Sequence, residues 1–198
     1  MNRISGFPLA LGLLLGAVVG ALTDILQAHV SGSFAGLANA VSPWIVAAFF
    51  AGSAARRARI AAFAGILACL AELAAYVITA EMRGYAQSLD YTVFWAVGGL
   101  VGGVVFGFAG FAWSHPTRRC TGLGPALLST AFLTEAAYFL IALHYVGEAV
   151  VFSVAAAITF LGLGANKRQY LASIRWMTAT IPCGALGELV LYFATSHP

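Results

Sequence analysis

Long apolar runs separated by short polar links fill this sequence. A helix needs about 20 apolar residues to cross a bilayer, and seven of the runs come close to that length. They lie near residues 8–28, 36–54, 60–82, 91–114, 122–146, 148–164 and 171–195. The pattern predicts an all-α integral membrane protein with seven transmembrane helices, in which residues 1–198 form a single transmembrane domain.

The basic residues predict the orientation of these spans. Seven crossings put nine of the ten basic residues on one side: Arg3, Arg56, Arg57, Arg59, Arg118, Arg119, Lys167, Arg168 and Arg175. The positive-inside rule makes that side cytoplasmic, so we expect a cytoplasmic N-terminus and a C-terminus outside. Only Arg83 departs from this pattern. Because orientation accounts for the net charge of +3, the basic residues do not indicate a nucleic-acid partner.

The acidic residues follow the opposite pattern. All seven fall in the outer half of the spans or in the outer links: Asp24, Glu72, Glu81, Asp90, Glu135, Glu148 and Glu188. Acidic residues have little weight in orientation, whereas a carboxyl group that faces lipid costs several kcal/mol. We therefore expect the intramembrane acids to point into the bundle or into a wet cavity.

Three stretches of the chain resemble one another. The segments FFAGSAARR and AELAAYVITA match FGFAGFAW, HPTRRC and TEAAYFLIAL in order, and FLGLGANKR with GELVLYFAT is a looser third copy. The match predicts one N-terminal helix followed by three parallel two-helix repeats. It also places an acid and a tyrosine one helical turn apart on three spans: Glu72 with Tyr76, Glu135 with Tyr138, and Glu188 with Tyr192.

Two interpretations of these acids stay open. Polar side chains can fasten transmembrane helices to each other, and each acid could serve only that purpose. Alternatively, one protonated acid donates a proton to a substrate, while an ionised one stabilises the resulting cation or takes the final proton. The candidates for the catalytic role are Asp24, Glu72, Glu135 and Glu188.

Aromatic residues occur at the same depth as these acids. The faces of aromatic rings attract cations, although membrane tryptophans also occur simply at the lipid interface. The tyrosines of the three pairs would orient the carboxyl groups by hydrogen bonds. The expected substrate-binding residues are Trp44, Tyr76, Phe94, Trp95, Tyr138 and Tyr192.

No metal or cofactor is expected. The odd count of three cysteines has no paired spacing that would indicate a zinc site or a disulfide framework. His29, His144 and Glu148 lack a recognisable ligand spacing. Glycines recur every four residues at Gly12, Gly16 and Gly20 and crowd the fourth span, which predicts close approach of helices.

Two resemblances extend these patterns. The stretches LANAVSPWIVAAFFAG, WAVGGLVGGVVFGFAGFAW and TEAAYFLIALHY resemble a family of small actinobacterial membrane proteins over most of the chain, which implies a multi-pass protein of the bacterial cell membrane and names no activity. The seven short spans with intramembrane acids also resemble the bacterial membrane-bound terpene cyclases, including those that close farnesylated indoles. That resemblance implies metal-free, proton-initiated cyclisation, and it supplies no motif from which a catalytic residue can be transferred.

Our leading hypothesis is an integral membrane terpene cyclase. It would act on a lipophilic polyprenyl substrate, for example a farnesylated indole or its epoxide, by acid-initiated carbocation cyclisation. The alternative is a substrate-binding membrane subunit of an energy-coupling vitamin transporter, in which the acids with Trp44 and Trp95 would hold a cationic or heteroaromatic vitamin. Such subunits usually have six spans, so the seventh span counts against this alternative. A small proton-coupled transporter is a third possibility. The expected partners are a lipophilic small molecule and membrane lipids, and the oligomeric state stays open.

Overall fold

The fold is a bundle of helices. A computed structural model describes residues 6–30, 36–37 and 40–196. These residues form seven helices and no strand: α1 (Phe7–His29), α2 (Ser42–Ser53), α3 (Ala58–Met82), α4 (Leu89–Ser114), α5 (Leu123–Ile141), α6 (Val146–Ala165) and α7 (Tyr170–Ser196). Six of them, all except α2, are long and apolar enough to cross a membrane. The prediction of an all-α membrane protein is confirmed for the described part of the chain.

The second predicted span is wrong in length. A span over residues 36–54 was expected, but α2 begins at Ser42 and has 12 residues. At 1.5 Å per residue such a helix is about 18 Å long, which is short of the hydrocarbon core of about 30 Å. Pro43 stands in the first turn, where its missing N–H is tolerated. Ser42, the first residue of α2, is buried, so the N-terminus of this helix lies inside the bundle.

The boundary between α5 and α6 also differs from the prediction. The fifth span was expected to reach residue 146, whereas α5 ends at Ile141. The chain then turns at His144, whose φ of 58° is left-handed, and the Tyr145 N–H bonds back to the Phe139 carbonyl at 2.8 Å. This tight turn lets α6 start at Val146 and pack against α5 along its length.

Glycines bring α1 and α3 into backbone contact. A Cβ added at Gly12, Gly16 or Gly20 would overlap the carbonyl oxygen of Ala64, Ala68 or Glu72, respectively. Because both series rise in steps of four, the two helices run parallel with one face of α1 seated on α3. The predicted role of these glycines in packing is confirmed.

Two glycines of α4 bring this helix into backbone contact with α2 and with α3. Gly107 faces the Ala61 carbonyl of α3, and Gly110 faces the Phe49 carbonyl of α2. Side chains larger than hydrogen at these points would push the helices apart. The α4 helix is thereby locked between its two neighbours.

On the other side of the bundle, α5 is the central helix. It packs antiparallel to α6, with Phe139 stacked on Phe152 at a centroid distance of 5.4 Å. It packs parallel to α7, where the hydroxyl groups of Thr130 and Thr180 are 2.8 Å apart. These contacts fix the depth of α5 and α7 relative to each other.

We expect Gly16→Ala to destabilise the fold and Gly98→Ala to leave it intact. A methyl group at Gly16 meets the α3 backbone, which cannot move aside, and overpacking of this kind costs about 1–3 kcal/mol. Gly98 has open space around it in the same kind of helix, so alanine there should be neutral or stabilise by about 0.5–1 kcal/mol. Thermal unfolding of both purified variants in detergent measures the difference, and equal midpoints would contradict the proposed packing.

Candidate functional site

One end of the bundle carries three neighbouring cavities. The C-terminal ends of α1, α3, α5 and α7 meet the N-terminal ends of α2, α4 and α6 there, and we call this the acidic end. The middle cavity shares wall residues with both of its neighbours. It shares Val41, Tyr91 and Trp95 with one of them, and Gln27 and Tyr76 with the other. At the depth where the sequence predicts the candidate site, the structure has a row of cavities across the bundle.

The largest space, the aromatic cavity, has a volume of about 410 Å³. That volume suits a small organic molecule, for which pockets of about 300–1,000 Å³ are usual. Six rings and two carboxyl groups contribute to its wall: Tyr91, Trp95, Tyr138, Phe139, Tyr145, Tyr192, Glu135 and Glu188. The combination of rings and acids is suited to a ligand with positive charge.

The central cavity is small and lies between the other two. Its volume is about 30 Å³, enough for one water molecule. Trp44 is on its wall, and the centre of its ring system lies 5.9 Å from the ring centre of Tyr76 and 6.1 Å from that of Trp95. The rings of Trp44 and Tyr76 therefore separate the aromatic cavity from the third one.

The third space, the polar cavity, has a volume of about 350 Å³. Most of its wall consists of side chains that can form hydrogen bonds: Asp24, Gln27, Tyr76, Arg83, Tyr85 and Gln87. Its chemistry differs from that of the aromatic cavity because it contains a guanidinium group.

Glu135 holds the start of α2. Its Oε1 accepts a hydrogen bond from the Val41 N–H at 2.5 Å, and its Oε2 accepts one from the Ser42 N–H at 2.8 Å and another from the Ser42 hydroxyl. These donors are the free N–H groups of a helix N-terminus, where the helix dipole also favours a negative group. The carboxyl group of Glu135 thus caps α2 from the neighbouring helix α5.

Glu188 has a different environment in the same cavity. It is half-buried, lies close enough to Glu135 for an electrostatic interaction, and accepts no hydrogen bond from the described residues 6–30, 36–37 and 40–196. The rings of Tyr138 and Tyr192 stand beside it, 6.3 Å apart. The structure thus brings the predicted residues Glu135, Tyr138, Glu188 and Tyr192 to one cavity.

Asp24 is bound to Arg83. The Asp24 Oδ1 lies 2.8 Å from the Arg83 Nη1, and the same nitrogen donates to the Asp24 main-chain oxygen at 2.6 Å. The carboxyl group is buried, and its second oxygen has no hydrogen-bond partner within the described part of the chain. This ion pair ties α1 to the C-terminal end of α3, and it explains the single basic residue among the acids.

The predicted hydrogen bond between Tyr76 and Glu72 is absent. The Tyr76 hydroxyl donates to the Gln27 Oε1 at 2.8 Å instead, which joins α3 to α1. Glu72 is fully buried, with 0% of its surface exposed, and neither carboxyl oxygen has a partner among the residues that the structure describes. Glu72 lines none of the three cavities described above.

The predicted aromatic residues differ in their placement. Trp44 and Trp95 line the cavities, whereas Phe94 packs edge-on against Trp95 at 5.4 Å and lines none of the three. The Trp95 Nε1 is buried without an acceptor in the described residues. Because that nitrogen is out of reach, the ring of Trp95 rather than its N–H faces the cavities.

Sequence reasoning missed several residues of the site. Tyr91 and Tyr145 line the aromatic cavity from the start of α4 and from the turn before α6. Both lie at the outer ends of their predicted spans, as the acids do, so their depth was available as a signal, but the repeat drew attention to three other tyrosines. Gln27 and Arg83 had the same depth signal, and only the fold shows that they meet Tyr76 and Asp24.

The described residues contain no group of three or more side chains that could hold a metal ion. The Nδ1 of His29 lies 2.7 Å from the Ile25 carbonyl oxygen of its own helix. Glu148 is buried close to Gly36.

Comparison with known proteins identifies a family and no individual relative. Neither the curated proteins nor the solved structures give a match. A protein-family model described as a family of unknown function, DUF6518, matches residues 2–197. The match covers nearly the whole chain, so the protein belongs to the DUF6518 family.

Proposed function

We propose that this membrane protein takes a lipophilic small molecule into the aromatic cavity and stabilises positive charge on it. The observation that supports this proposal is the wall of six rings with two carboxyl groups around about 410 Å³. Ring faces attract a cation by their quadrupole, and carboxyl groups attract it by their charge. The wall thus suits either a permanent organic cation or a carbocation formed during a reaction.

The reaction that we propose is acid-initiated cyclisation of a polyprenyl substrate. A carboxylic acid adds its proton to a terminal alkene carbon, or to an epoxide oxygen whose C–O bond then breaks. The electrons of the next double bond form a C–C bond to the cationic carbon, and loss of a proton from the last cation restores a double bond. The product is an isomer of the substrate, so the reaction requires no cofactor.

Glu188 is the acid that the geometry favours for this step. Asp24 is occupied by Arg83, and Glu72 lines none of the three cavities. Glu135 accepts hydrogen bonds at both oxygens, which suits a fixed negative group that stabilises a cation. Glu188 reaches the same cavity without such bonds from the described residues, so it is the group that can move a proton.

A second function is favoured by the same pair of acids. Two carboxyl groups among rings would also hold a permanent organic cation or a heteroaromatic ring, as in a substrate-binding subunit of an energy-coupling transporter. Glu72 suits a proton-coupled transporter instead, because an intramembrane acid indicates a functional site by default and Glu72 has no hydrogen-bond partner among the described residues.

The experiment that tests the proposal is mass spectrometry of organic extracts. Membranes containing the protein are incubated with farnesylated indole, farnesyl quinol and their terminal epoxides, beside membranes without the protein. A new species of unchanged mass and shifted retention would support the cyclase. If no isomer forms, and the purified protein binds a quaternary ammonium probe with a partner ATPase copurifying, the transport subunit replaces it.

The orientation of the protein is part of this proposal. We expect the acidic end to face outward and the opposite end, which carries the described arginines other than Arg83, to face the cytoplasm of a bacterial cell. Arg3 lies outside the described residues. The three-hairpin repeat stays a prediction from the sequence.

A further inference from the structure

The positive-inside rule does not account for Arg83. Arg83 is the one described basic residue at the acidic end. Asp24 holds it in place through two contacts to Nη1, one from the carboxyl group and one from the main chain. The side chain of Asp24 is 4% exposed, whereas that of Arg83 is 32% exposed. A buried acid thus fixes an arginine that remains accessible.

The guanidinium group keeps one edge available. Arginine has five N–H donors in a planar fork, and the two on Nη1 are directed to Asp24. The Nε and Nη2 atoms form the other edge, and no acceptor for them occurs in the part of the chain that the structure describes. The guanidinium carbon also lies 5.3 Å from the centre of the Tyr85 ring, which limits the rotation of the plane.

The side chain of Arg83 borders a cavity that is large enough for a ligand. Arg83 lines the polar cavity of about 350 Å³, together with Tyr85 and Gln87, whose side chains can also donate hydrogen bonds. Asp24 is the one carboxyl group on the described wall of this cavity, and its Oδ1 is directed to Arg83. Glu81 lies beyond ion-pair distance of Arg83, although it is two residues away.

We propose that Arg83 forms an anion subsite in the polar cavity and binds a phosphate or carboxylate group through its Nε and Nη2 edge. Two parallel N–H···O bonds from one guanidinium edge are the usual geometry for such groups. The oxyanion can belong to a soluble ligand or to the headgroup of a phospholipid, since both have the same oxygens. This proposal does not depend on the chemistry assigned to the aromatic cavity.

The test compares Arg83→Lys with Arg56→Lys. Lysine at 83 keeps the positive charge and can still pair with Asp24, but it has no planar edge. Arg56 is exposed in the link between α2 and α3, at the opposite end, and serves as the matched control. Inorganic phosphate and acetate are titrated into protein in a maltoside detergent and followed by tryptophan fluorescence, since Trp44 contacts the Tyr76 ring on the cavity wall. Native mass spectrometry records phosphatidylglycerol adducts of the same variants.

We expect Arg83→Lys to raise the dissociation constant about tenfold or more, as loss of one charge-assisted hydrogen bond implies, and Arg56→Lys to leave it unchanged. A change in the titrations identifies a soluble anion as the ligand class, and a change in the adducts alone identifies a lipid headgroup. If neither readout differs between Arg83→Lys and the wild type, the subsite does not exist and the ion pair only joins α1 to α3.

A second variant covers the case in which Arg83→Lys does not fold. The double variant Asp24→Asn with Arg83→Gln removes both charges and leaves no buried unpaired ion. We expect it to fold and to have lost the anion dependence in both measurements. Retained anion binding by this double variant would overturn the proposal.

Discussion

Glu188→Gln is expected to lower the rate of cyclisation by about 10²–10⁴-fold, the usual contribution of a general acid. Glutamine has nearly the same size and lies in the same half-buried position, but its amide cannot donate a proton to an alkene. Because no described residue donates a hydrogen bond to Glu188, the change leaves no donor in the described part of the chain without its acceptor. The unfolding midpoint should therefore stay close to that of the wild type.

The control for this prediction is Glu81→Gln. Glu81 is an exposed acid at the same end of the bundle, and it lines none of the three cavities. Initial rates are measured by mass spectrometry with the substrate that gives an isomer in the extract assay. Full activity in Glu188→Gln would exclude this residue as the proton donor. Weaker ligand binding without any turnover in the wild type would instead favour the transport subunit.

The length of the apolar runs was sufficient to predict six of the helices. Each run is continuous, and a bilayer requires that its backbone hydrogen bonds close within the segment, so the ends can be read from the polar links. The start of α2 and the end of α5 were the exceptions. The start of α2 is capped by Glu135, which lies 93 residues from Ser42 in the sequence. A hydrogen bond from another helix leaves no trace in the local pattern of apolar residues.

Only part of the candidate site could be predicted from the sequence, and the reason is related. Depth along a span follows from residue number, so the acids and rings could be assigned to one end of the bundle. The direction of a side chain around its helix depends on which neighbours pack against it, and the sequence does not give those neighbours. The spacing of Glu72 and Tyr76 permits a hydrogen bond, yet the Tyr76 hydroxyl donates its hydrogen bond to Gln27 on α1.

The four candidate acids lie at one depth but in different environments, which bears on their roles. Asp24 has an arginine, Glu135 has a helix N-terminus, Glu72 is fully buried without a hydrogen-bond partner among the described residues, and Glu188 lies on the wall of the aromatic cavity. Carboxyl groups in different environments take different roles in acid chemistry. Substitutions at these positions should therefore have separable effects on stability and on activity.

Glu135→Ala is expected to destabilise the protein by about 3–5 kcal/mol, the cost of removing one member of a buried polar network. The Val41 and Ser42 N–H groups would lose the carboxyl acceptors that cap them. Loss of the cap would loosen the N-terminus of α2, which lines both the aromatic and the central cavity at Val41. Ligand binding in these cavities should weaken together with stability.

A graded series separates the cap from a simple loss of volume at this position. Glu135→Gln keeps one carbonyl acceptor and should lose less stability than Glu135→Ala, and Ser42→Ala, which removes the hydroxyl donor alone, should lose about 1 kcal/mol. Hydrogen exchange of the Val41 and Ser42 amides reads out the cap directly, and it should accelerate in Glu135→Ala. Unchanged exchange at both amides would contradict the capping role, because a helix N-terminus that loses its acceptors inside the bundle frays at its first residues.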